Sequence, residues 1–86
     1  MENRVKLFKA LGNPTRLRMV QFLANCPSKG CGELSDKFRL SQPTMSHHFQ
    51  RLIEANVISE SKVHTKKIYS LNRAALKKHG LDPAKL

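Results

Sequence analysis

The sequence predicts a mainly α-helical domain with a small β-hairpin near its C-terminal end, and three observations carry that expectation. Apolar residues recur at helical spacing through most of the first 55 positions. Asn, Pro, Ser and Gly stand where helices start and stop. Two short runs rich in β-branched and aromatic residues, 57–61 and 67–71, follow the last long helical stretch. At 86 residues the chain is expected to form a single domain spanning 1–86.

Glu2–Leu11 reads as the first helix. Val5, Phe8 and Leu11 step by three, with Leu7 beside them, and are expected to pack as one stripe. Gly12 is the expected left-handed stop. Asn13 is a good N-cap, and Pro14 is tolerated in the first turn, where no N–H is needed. The second helix is expected over 14–24, with Arg16, Arg18 and Gln21 on its wet side. The stretch "NCPSKGCG", 25–32, reads as a loop because it concentrates Gly, Pro and Ser.

A short third helix is expected over 32–38, with Leu34 and Phe38 facing the core and Arg39-Leu40 forming the turn after it. Leu40 is expected to plug inward. Ser41 is the next N-cap, and the helix it starts runs 42–55. Met45, Phe49, Leu52 and Ile53 form its apolar stripe. Asn56 suits a left-handed position just beyond its end. The two strands follow. Their connection, "KVHTK" (62–66), contains no Gly, which predicts a loose turn rather than a tight one. A last short helix, 73–79, ends at Gly80 and is anchored by Leu76. Helix, three-residue turn and helix followed by a hairpin make a winged helix-turn-helix, with 57–71 as the wing.

Composition narrows the function. Lys and Arg number 16 against 6 Asp and Glu, a net charge of +10, which points to a polyanion partner. No apolar run is long enough to span a membrane, and "MENRVKLF" lacks a signal-peptide core, so a cytoplasmic protein with no membrane partner is expected. Cys26 and Cys31 do not make a disulfide framework. Two unrelated thiols are the default, and a redox switch through the pair is the alternative.

The segment "LSQPTMSHHFQRLI", 40–53, holds the chemistry. At about 100° per residue, Met45, Phe49, Leu52 and Ile53 share one side of the helix, and Thr44, His47, Gln50, Arg51 and Glu54 fall on the other. Ser46 lies on one flank and His48 on the opposite edge of the stripe. The adjacent histidines diverge by about 100°, whereas a helical metal pair needs i, i+3 or i, i+4 spacing. No carboxylate is placed to orient either one for catalysis. Short hydrogen-bonding side chains on the exposed first half of a helix suit base edges in the DNA major groove. Gln42, Thr44, Ser46 and His47 are the expected base readers, with Gln50 and Arg51 beside them. A generic solvated face is usually rich in Glu and Lys, and this one has neither before Glu54. The wing carries Lys62, His64, Lys66 and Lys67, expected to meet phosphates or the adjacent minor groove. Arg16, Arg18, Lys37 and Arg39 are further phosphate candidates.

The sequence resembles the ArsR-type winged helix-turn-helix repressors. The resemblance is carried by "LFKALGNPTRLRMVQFL" (7–23), "GELSDKFRLSQPTMSHHFQRLIEANVIS" (32–59) and "KKIYSL" (66–71), in one collinear order. It implies a homodimeric, operator-binding transcription regulator. It also implies dimerisation through the first and last helices, which here offer Val5, Phe8, Leu11 and Leu76, and base reading by Gln42, Thr44, Ser46 and His47. Metal sensing does not carry over. Where metal-responsive members have Cys-x-Cys, this chain has Gly30 and Gly32 with Cys31 on the spacer, and its last helix, "NRAALKKHG", has only His79 and no carboxylate. No metal, cofactor or small-molecule substrate is therefore expected. A sequence-specific regulator of double-stranded DNA is the leading reading. A protein-interaction module that uses the same fold without reading bases is the competitor. An RNA-binding winged helix would want exposed aromatics. An enzyme would want a Gly-rich loop, an acid pair or a nucleophile–base spacing, and none is present.

Overall fold

The computed structural model describes residues 2–25 and 29–86. Five α-helices and three strands follow in order: α1 Glu2–Leu11, α2 Pro14–Asn25, β1 Lys29–Gly30, α3 Cys31–Phe38, α4 Gln42–Glu54, β2 Ile58–Val63, β3 Lys66–Leu71 and α5 Arg73–Lys78, with a 3-10 turn at Pro83–Lys85. The core is one cluster drawn from every α-helix and from the wing. Leu7, Met19, Val20, Leu23, Leu34, Met45, Phe49, Leu52, Val57, Ile58, Tyr69 and Leu76 are all buried in it.

The helix ends are made by the side chains the sequence singles out. Asn13 Oδ1 accepts from the N–H groups of Thr15 (2.9 Å) and Arg16 (3.1 Å) and starts α2. Ser41, in extended conformation, caps α4: its Oγ accepts from Thr44 N–H at 3.4 Å. Beyond α4, Asn56 takes the left-handed conformation (φ 61°). Its N–H reaches Ile53 O and the Val57 N–H reaches Leu52 O, both at 2.9 Å, closing the helix with the paired bonds of a Schellman motif. Gly80 (φ 75°) closes α5 the same way, with bonds from Gly80 to Lys77 and from Leu81 to Leu76.

Gly12 departs from expectation, because its φ is not positive. Its N–H stays on the helix, 2.9 Å from Phe8 O, and an added Cβ would sit 3.2 Å from that same oxygen. Close approach, rather than handedness, is what Gly12 supplies. The packed stripe of α1 also differs. Leu7, Ala10 and Leu11 are buried, while Val5 and Phe8 stay 50% and 48% exposed.

The hairpin belongs to a three-stranded antiparallel sheet of order β1-β3-β2. Lys29 pairs with Tyr69 and Gly30 with Ile68, so two residues of the stretch read as loop form a strand, and α3 starts at once at Cys31. The wing turn is tight rather than loose. Val63 pairs with Lys66, leaving His64 and Thr65 as a two-residue connection. His64 takes φ 58°, the left-handed value such a turn usually gives to Gly or Asn. The strands are also longer at the tip than the sequence predicts, reaching Val63 and beginning at Lys66.

Candidate nucleic-acid interface

α3, the turn 39–41 and α4 form the helix-turn-helix. Arg39 makes the bend with φ 55°, and Leu40 packs half-buried against the core, as expected. Phe38 meets Phe22 edge-on, with centroids 6.0 Å apart at 82°, and fixes α3 on α2. Lys37 Nζ lies 5.8 Å from the Phe22 ring centroid. That places one of the phosphate candidates over an aromatic face of its own domain.

α4 is held by Met45, Phe49 and Leu52, all fully buried. Gln42, Thr44, Ser46 and His47 are exposed on its first half. Ser41 donates to Thr44 Oγ1 at 2.9 Å, so the Thr44 hydroxyl keeps its own proton to donate outward. No acidic residue occupies the first turn. The second half of the helix is different. Gln50 Nε2 donates to Glu54 Oε1 at 3.3 Å, and Arg51 Nη1 lies 3.8 Å from Glu54 Oε2. Gln50 and Arg51 are exposed but tied to a carboxylate, which sets them apart from the exposed side chains on the first half. Exposed pairs of this kind are weak, so both side chains are free to re-pair.

His48 sits at the edge of the stripe, half-buried, with Nδ1 3.4 Å from Arg16 Nη1. Its pKa is held below 6.5 by burial first, then by the positive charge of Arg16 and by His47. Arg16, expected on the wet side of α2, instead donates Nε–H to Ala10 O at 2.8 Å and turns inward. Gln21 likewise leaves the wet side, donating to Leu86 O. The His47 and His48 rings are 5.9 Å apart and tilted by 58°. Among the described residues, no three His, Cys, Asp or Glu side chains gather as a metal site. Cys26 and the side chain of Cys31 lie outside what is described, and so does the redox alternative.

The wing is coupled to α4 by a contact that sequence reasoning missed. Tyr69 of β3 stacks on Phe49 of α4, with centroids 3.9 Å apart and planes within 8°. Inward alternation along β3 combined with the α4 stripe would have pointed to it. The tip carries the expected cations, with Lys62, His64, Lys66 and Lys67 all exposed. Lys62 and Lys67 are directly opposed across the strands. Like charges in that position repel and destabilise the hairpin, which an anion between them would relieve. Val63, 54% exposed, shares the tip.

Leu11 and Leu76, which the resemblance offers for dimerisation, are core residues of the protomer. Val5 and Phe8 remain on the surface. Beside them, between α1, the end of α4 and α5, runs a groove lined by Arg4, Lys6, Asn56, Asn72, Lys78 and His79 among others. Among the described residues no helix is long and apolar enough to cross a membrane.

Comparison with known proteins agrees with this geometry. Residues 13–60 match the model of the family described as bacterial regulatory protein, arsR family. An uncharacterized HTH-type transcriptional regulator of Methanocaldococcus jannaschii is 35% identical over 79% of this chain and 76% of its own length. The transcriptional repressor SdpR of Bacillus subtilis is 34% identical over 81% of this chain and 77% of its own length. Among solved structures, HlyU from Vibrio cholerae superposes with a TM-score of 0.80 at 28% identity, covering 91% of this chain and 84% of that one. From α2 to the first residues of the wing, the segment that presents the exposed face of α4 is also the segment the family model covers, and the chain belongs to the arsR family of winged helix-turn-helix, DNA-binding transcriptional regulators.

Proposed function

We propose that the chain is a homodimeric cytoplasmic repressor that binds an inverted-repeat operator in double-stranded DNA. In this reading Gln42, Thr44, Ser46 and His47 contact base edges, and Lys62, His64, Lys66 and Lys67 of the wing hold the flanking backbone. Gln50 and Arg51 join them when Glu54 releases its pairs. The observation that carries the reading is the exposed, carboxylate-free first half of α4, mounted on three fully buried anchors. Gln offers the paired donor and acceptor that match adenine, Ser and Thr serve any base, and His donates to guanine. A helix whose reading side chains are short approaches the groove floor closely. The net charge of +10 supplies the sequence-independent attraction. The name of SdpR, a transcriptional repressor, supports the sign of regulation.

The exposed pair Val5 and Phe8 on α1, which a second copy would cover, supports a two-fold dimer. It predicts two half-sites on one face of the duplex, about one helical turn or a multiple apart. Binding by single variants tests the reading. Gln42→Ala and His47→Ala should each cost about 1–3 kcal/mol on the operator and little on random DNA. Equal loss on both duplexes would contradict base reading and favour a fold used only for protein contacts.

A further inference from the structure

Arg16 joins three elements. It sits in the first turn of α2, its Nε–H donates to the carbonyl of Ala10 near the end of α1 at 2.8 Å, and its Nη1 lies 3.4 Å from His48 Nδ1 on α4. A guanidinium has only donors, so the contact with His48 requires a lone pair on Nδ1 and a neutral ring with its proton on Nε2. The two bonds leave Arg16 through different nitrogens of one rigid plane. A lysine has no such fork and would have to serve both acceptors from a single nitrogen on a shorter stem. His48 is one residue from His47 and four from Thr44, both on the exposed face. A rotation of α4 about its axis would therefore move the reading side chains together with His48.

We propose that Arg16 is a positioning residue for base reading: by gripping Ala10 of α1 and His48 of α4 it fixes the rotation of the recognition helix about its axis. The inference rests on the operator reading above. It gives Arg16 a role different from a phosphate contact, because two of its donors are committed inside the protomer. It also ties α4 to α1, the helix that carries Val5 and Phe8, so the lie of the reading face depends on the helix that would meet a second copy.

The contact has a built-in pH sensitivity. Protonated His48 presents a donor to a donor, and the grip is lost. Arg16 from α2 and His47 from α4 are the groups whose charge bears on His48. Lys6 and Lys9 of α1 and Arg51 and Glu54 of α4 line the small cleft beside Arg16.

The probe is the duplex that the wild-type protein selects from a random pool, compared with a random duplex of equal length. Arg16→Lys keeps the charge and breaks the fork. It should lower the selected-over-random affinity ratio roughly tenfold, with random-DNA affinity and its salt slope unchanged. His48→Leu should do the same, and the double variant should be no worse than the worse single. His48→Asn offers an acceptor close to the place of Nδ1 that does not titrate. It should keep the ratio and abolish the fall that the wild type shows as the pH drops below about 6.5.

An unchanged ratio in Arg16→Lys, additive losses in the double variant, or an equal loss on both duplexes with a flatter salt slope would each overturn the inference. Should Arg16→Lys lose its cooperative melt, the pH profiles of two folded proteins decide instead. A wild-type ratio that does not change with pH, or that changes equally in His48→Asn, overturns it. A wild-type chain that selects no sequence overturns the operator reading and this inference with it, whereas selection with an indifferent Arg16→Lys overturns this inference alone.

Discussion

At position 48 a histidine accepts from an arginine, and at position 47 its neighbour faces solvent. The division follows from the roughly 100° step of the helix, and it was legible in the sequence. What the step does not show is the partner. Arg16 lies 32 positions away, and its long side chain carries its charge off the face its backbone occupies, so periodicity left it among the wet residues. Burial of the ring, and after it the Arg16 charge, has a measurable consequence. The folded state holds His48 below 6.5, while the unfolded chain titrates near that value, so between the two pKa values the unfolded state binds more protons. Stability therefore rises with pH through that window and is lost as pH falls from about 6.5 toward the folded value. Denaturant unfolding of wild type and His48→Asn across that window checks this. The wild type should lose more stability on acidification, and parallel curves would count against the assigned contact.

The elements that the sequence located well are those with caps. Asn13, Ser41, Asn56 and Gly80 carry local chemistry that acts within a few residues, and the structure finds each at a helix end. The elements it located poorly depend on distant partners. Lys29-Gly30 becomes a strand only because Ile68 and Tyr69 offer an open edge, and nothing in "NCPSKGCG" announces it. The wing turn reads as loose because its left-handed residue is His64 rather than Gly. Holding a non-Gly residue there costs roughly 1 kcal/mol, a cost the six-residue strands on either side absorb. The wing is held to α4 by the Phe49–Tyr69 stack, so its cations have a fixed relation to the exposed first half of that helix. Lys66→Ala should weaken binding to all sequences alike and flatten the salt dependence by about one unit of slope, as measured by titration at several salt concentrations. An unchanged slope would remove Lys66 from the backbone contacts.

Among the described residues, the α1 face that carries Val5 and Phe8 remains exposed after the core is built. The sequence assigned Val5 and Phe8 to the same stripe as Leu11, because a spacing of three fits a helix face. The structure rotates α1 so that Leu7, Ala10 and Leu11 pack inward and the other two stay out. Sequence spacing cannot distinguish the stripe that packs within a protomer from the stripe that packs between protomers, since both are apolar and helical. Phe8→Asp should convert a dimer to a monomer with the fold retained, as read by sedimentation and far-UV circular dichroism. A variant that stays dimeric would move the interface elsewhere. Losing the dimer should also abolish tight operator binding, because one protomer reads one half-site.

The most direct measurement of the central claim is selection of bound duplexes from a random pool at physiological salt, followed by the stoichiometry of the selected complex. A homodimeric operator reader should yield an enriched inverted repeat, half-sites about one helical turn or a multiple apart, and two chains per duplex. A pool that emerges unenriched, bound with equal affinity whatever its sequence, would contradict it.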